Sequence, residues 1–78
     1  MPKYYIQDDY EGWIIDSKSP LAACVKGLYF GIINSIPIDK RTYNIKGSYL
    51  VSEKGFDDET GEIIPIKKAV RLCLKMKN

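Results

Sequence analysis

No histidine occurs in this chain of 78 residues. That absence excludes His-based general acid–base catalysis, Ser-His-Asp and Cys-His nucleophile systems, and His-containing metal sites. Cysteine is scarce: Cys24 and Cys73 sit inside apolar runs without Cys-x-x-Cys spacing. Both are expected to be buried reduced thiols, not a disulfide or metal pair. A nucleophilic thiol needs an activating base beside it, and each cysteine falls instead at an expected core position.

Long hydrophobic runs are also missing. The longest apolar-leaning stretch, Leu21 to Ile33, carries Lys26 and is too short to span a bilayer. Near Met1 come Tyr4-Tyr5-Ile6 and then Asp8-Asp9, with no basic stretch leading into an apolar one. No secretory signal is therefore expected, and the expected setting is cytoplasmic, reducing and away from membranes. No Walker-type or dinucleotide glycine pattern exists, because Gly27 and Gly31 lie within an expected helix and not ahead of one. The acidic run from Asp57 fails as an EF-hand: its sixth position is Glu62 and its twelfth is Lys68, where glycine and glutamate are required. A solvated hairpin tip is the expectation there. No metal, no cofactor and no enzymatic activity are expected.

What is present is an ordinary globular composition, 45% apolar and 28% charged, with no low-complexity tract. One domain over residues 1–78 is expected, near the lower size limit for independent folding. A core of this size leaves only about 3–5 kcal/mol of net stability, which favours a protein partner or a homodimer. The net charge of +2 is too small to argue for nucleic acid, but its distribution is uneven. Residues 1–16 carry −3, 17–52 carry +4, 53–62 carry −4, and the remaining tail carries +5 with no acid. Acids concentrate at the expected turns and cations elsewhere.

Lys3 to Gln7 is rich in Tyr and Ile, Asp8 to Gly12 is polar and closed by glycine, and Trp13-Ile14-Ile15 returns. This reads as a hairpin over about 3–7 and 12–16, with Tyr4 and Ile6 on one face and Tyr5 on the other. Ser19-Pro20 then opens a helix expected to run to Asn34. Its apolar positions Leu21, Cys24, Val25, Leu28, Tyr29 and Ile32 form one face. Gly27 and Gly31 each cost about 1 kcal/mol relative to Ala in a helix interior. Either a close approach by a neighbouring element offsets that cost or the positions are tolerant. Asn34 suits a left-handed cap, with Pro37 beyond it.

Ile36 to Gly47 is a connector of about a dozen residues, either a surface loop or partly extended with Ile38, Tyr43 and Ile45 inward. Gly47 to Glu53 is the clearest strand, alternating Tyr49/Val51 against Leu50. An acidic turn follows, then a returning strand over Glu62 to Ile66 that Pro65 confines to an edge or ends. The last segment reads two ways. As a helix from Ile66 it places Ile66, Ala69, Val70 and Cys73 together; as a strand, Val70, Leu72, Leu74 and Met76 alternate with Arg71, Cys73, Lys75 and Lys77. The helix is preferred, because Pro65 shortly ahead of Lys-Lys-Ala-Val (67–70) suits a helix start. The fold class is therefore α+β, in the order ββαββα: a small, mainly antiparallel sheet of about four strands with the Ser19–Asn34 helix across one face.

Lys3-Tyr4-Tyr5, Ser19-Pro20-Leu21-Ala22-Ala23 and Val51-Ser52-Glu53-Lys54-Gly55-Phe56-Asp57-Asp58 together resemble a set of short uncharacterised bacterial proteins. In that set a hairpin and a Pro-started helix precede a Val-Ser-Glu-x-Gly-Phe-Asp strand and turn. The resemblance implies a shared small α+β fold and no activity.

Two surfaces remain as candidates. Lys67, Lys68, Arg71 and Lys75 would cover one side of the last helix, and Tyr5 or Tyr49, with Trp13, would stand on whichever sheet face the helices leave bare. The expected function is a non-enzymatic protein-binding or adaptor domain, as a homodimer or with another protein. The alternative is a weak nucleic-acid binder joining the basic segment to exposed sheet aromatics.

Overall fold

The computed structural model describes residues 2–34 and 46–77. The connector expected over Ile36–Gly47 lies outside the described residues, apart from Lys46 and Gly47. Strand β1 (Lys3–Gln7) pairs antiparallel with β2 (Gly12–Asp16), at the boundaries expected from the turn chemistry. Asp8 shapes that turn: its Oδ1 accepts from the amides of Tyr10 and Glu11, each at 2.8 Å. Such side-chain mimicry of a backbone turn is why Asp favours these positions. Strand β3 (Ser48–Ser52) joins the other side of β1, and β4 (Glu62–Pro65) joins β3. The antiparallel order is β2-β1-β3-β4, with Pro65 closing an edge strand where its missing N–H costs no ladder bond.

The register puts Ile6 beside both Trp13 and Val51, Tyr4 beside Ile15, and Tyr49 beside Ile64. These residues make the covered face. Tyr5, Gln7, Ile14, Leu50 and Ile63 alternate onto the open one. Two helices lie over the covered face, α1 (Pro20–Tyr29) and α2 (Ile66–Lys77), so the ββαββα expectation holds. The last segment is the helix, with Ile66, Ala69, Val70 and Cys73 all buried.

Helix α1 starts as expected: Ser19 Oγ accepts from the Ala22 amide at 3.1 Å, and Pro20 occupies the first turn. It ends five residues before Asn34. Gly31 takes φ +75°, and its amide bonds back to the Leu28 carbonyl. Glycine enters this left-handed region without steric penalty, so the chain turns off the helix there. It then folds back until the Ile33 amide donates to the Gly27 carbonyl at 3.0 Å. The expected helical stripe is corrected accordingly: Ile33 is 1% exposed, whereas Ile32 is 45% exposed.

Gly27 has a different reason. A Cβ there would lie 2.5 Å from Ile15 Cδ1 and 2.6 Å from Ile33 Cδ1. The missing side chain lets α1, β2 and the folded-back segment meet, so close approach is the correct reading at this position. Cys24, Leu28, Ile6, Val51, Val70 and Cys73 complete the centre of the core. Among the described residues, no helix is long and apolar enough to cross a membrane.

Candidate functional site

The two thiols are core residues. Cys24 and Cys73 are free and buried, and burial pushes the Cys24 thiol up to about 12, with the Glu62 charge adding to the shift. A thiol so placed is a poor nucleophile. Among the described residues no three acidic or cysteine side chains are grouped to hold a metal ion.

The acidic turn is solvated as expected, with Asp57, Glu59, Thr60 and Glu62 exposed, but it does not project as a free tip. It folds back over the open face of the sheet. Phe56 lies edge-on to Tyr5, with ring centroids 5.2 Å apart, and its ring fills the space above Gly12, where a Cβ would come within 2.6 Å. Gln7 holds the next residue at both ends: its Nε2 donates to Asp57 Oδ1 at 3.0 Å, and its Oε1 accepts from the Asp57 amide. Asp58 organises the far side, accepting from Ser52 Oγ, from Thr60 Oγ1 at 2.7 Å and from the Thr60 amide at 3.0 Å. The Ser52 hydrogen bond, followed by those from Thr60, lowers the Asp58 carboxyl to about 2. Asp57 and Asp58 thus hold the turn in place.

The aromatic half of the expected surface does not form. Tyr49 is fully buried beneath the helices, and Trp13 packs edge-on against it on the same covered face. The alternation was readable, but which face the helices would take was not. The Tyr49 hydroxyl has no hydrogen-bond partner among the described residues, and burial raises its pKa. Tyr5 does face the open side, half-buried under Phe56 and on the opposite layer from α2.

The four cations of α2 do lie together. Lys67, Lys68, Arg71 and Lys75 line one recess of about 430 Å³ along α2, floored by Pro65 and Leu72. None of the four makes a hydrogen bond or ion pair among the described residues, which leaves them free to meet external charge. Leu72 and Lys75 also belong to a second recess of about 420 Å³, between the helices, whose other walls are Ser19, Leu21, Ala22, Val25 and Met76. The two recesses thus adjoin at Leu72 and Lys75. Neither helix contains an acidic residue: α1 carries Lys26, and α2 carries Lys67, Lys68, Arg71, Lys75 and Lys77. Lys26 is tethered, its Nζ donating to the Asp16 carbonyl at 2.7 Å.

The result is an apolar groove between two helices with a cationic border along α2. Reading the sequence found the border and missed the groove. Leu21 and Val25 counted as core on α1, and Leu72 and Met76 belonged only to the rejected strand pattern of the tail; they meet because the helices lie side by side. Compared with known proteins, the chain matches no family model, no curated protein and no solved structure.

Proposed function

We propose that the chain is a non-enzymatic, cytoplasmic protein-binding domain whose working surface is the groove between α1 and α2. The observation that carries this reading is the groove itself: a mostly apolar recess that the described residues leave open, with Lys75 in its wall and Lys67, Lys68 and Arg71 in the adjoining recess, none of the four having a partner among those residues. A concave apolar surface with a few polar groups at its rim is the usual form of a recognition site. Two buried reduced thiols suit the cytoplasm, and their burial supports a role without covalent chemistry.

Photo-reactive residues placed at Met76 and at Ile63 in cells test the reading. Both positions are exposed, so neither should disturb folding. Protein adducts are expected from Met76 and not from Ile63. The captured protein, once purified, is expected to bind the wild-type chain and to bind the Arg71→Glu variant more weakly. Adducts only from Ile63, or captured proteins that ignore Arg71→Glu, overturn the proposal.

A second reading, weak nucleic-acid binding, is favoured by the line of four unpaired cations alone. It expects affinity that falls steeply with salt and is damaged by joint Lys67, Lys68 and Arg71 to Ala substitution. Absence of binding at about 50 mM salt removes it, because even non-specific binders bind there.

A further inference from the structure

We infer that the groove receives an acidic amphipathic helix of a partner protein, an inference that rests on the protein-binding reading above. The occupant's conformation follows from the walls. Both are α-helices whose backbone groups are bonded internally, so a strand laid between them would find no ladder to join. A segment that enters an apolar recess must satisfy its own backbone, and a helix does so.

Its charge follows from the border. Among the described residues Lys68, Arg71 and Lys75 are exposed and unpaired, and no acid on either helix competes for them. A neutral or basic helix would leave these cations uncompensated as the groove closed, whereas glutamates flanking an apolar stripe would pair with them. The apolar stripe meets Leu21, Val25, Leu72 and Met76.

Other occupants fit less well. Val25 is buried and Leu21, Ala22 and Leu72 are half-buried, with only Met76 standing mainly proud, so the surface has little to insert into a bilayer. A nucleic-acid backbone would use the cations and gain nothing from the apolar floor. A second copy of the chain offers no acid on either of its helices. From Lys67 to Met76 the helix extends roughly 14 Å at 1.5 Å per residue, so the occupant contributes about three turns. A contact of that size belongs to the weak, transient class of interfaces.

A displayed library of helix-forming peptides tests this. Each peptide carries a leucine stripe at i, i+3, i+4 and i+7, and its flanking positions are randomised equally between Glu and Lys. The full chain is the target, alongside an Arg71→Glu/Lys75→Glu variant checked for an unchanged melt. Expected on the wild type is enrichment of Glu over Lys, with methyl NMR shifts at Leu21, Val25 and Leu72. Expected on the variant is loss or reversal of that preference, and at least about tenfold weaker binding of the wild-type-selected peptides. Groove shifts with no charge preference, or with a Lys preference, overturn the acidic partner and leave the protein-binding reading intact. No enrichment and no groove shift, with binding instead to single-stranded oligonucleotides or phosphatidylserine vesicles, overturns both.

Discussion

The two sides of the sheet are closed by different means. On one, two helices without a single acid bury Tyr4, Ile6, Ile15, Tyr49, Val51 and Ile64 almost completely. On the other, a loop rich in acids crosses part of the surface and leaves Ile14 and Ile63 more than half exposed. The helix side is held by area and close packing, and the loop side by a few directed bonds. Stability and local order should therefore fail separately, and the charge of each side follows from which elements cover it.

The helix side should fail outright in Leu28→Asp. Leu28 is buried where α1 meets the sheet, and an unpaired carboxylate there costs more than a small domain's whole stability. Loss of the cooperative melt is expected; a melt near wild type would refute the helix-side core. Next comes Gly27→Leu, whose side chain must displace Ile15 and Ile33. Overpacking of this kind costs about 1–3 kcal/mol, which chemical denaturation will show as a lower midpoint.

Phe56→Ala should act on the other side alone. It removes the ring contact to Tyr5, and amide exchange should speed up from Lys54 to Thr60 while α1 amides stay protected. Equal acceleration in both regions would show that the two sides are one cooperative unit. The smallest effect is expected from acid. The Asp58 carboxyl is held at about 2, below its ordinary 3.8, so its hydrogen bonds add order that is fully present above about pH 4. That order is lost as pH falls through about 2, when the folded-state carboxyl protonates. Thr60 amide protection should fall across this window in the wild type, and should be low at every pH in Asp58→Ala.

How much of this was legible depended on the range of the interaction. The first hairpin was readable to the residue because Asp8 and Gly12 act within the turn itself. The start of α1 was readable for the same reason, through Ser19 and Pro20. Its end was not, because apolar periodicity continued to Ile32 while Gly31 offered a left-handed exit that periodicity ignores. Tyr5 and Tyr49 could be assigned to alternating positions, yet the covered face depends on the packing of both helices. The docking of the acidic turn on the sheet was not readable, because Gln7 and Asp57 are 50 residues apart and neither announces the other. The cations along α2 were found from spacing on one helix, but the groove beside them needs two.

Trp13 joins the two ββα units. It is the chain's single tryptophan, it belongs to the first ββα unit, and its ring meets Tyr49 of the second at 6.4 Å and nearly at right angles. Neither unit alone can create that environment. Its fluorescence should therefore reach its native value only when β3 docks beside β1, after any partial shielding by the first hairpin and α1. One native residue thus serves as a clock for the joining of the two halves, which a stopped-flow refolding trace can read without any label.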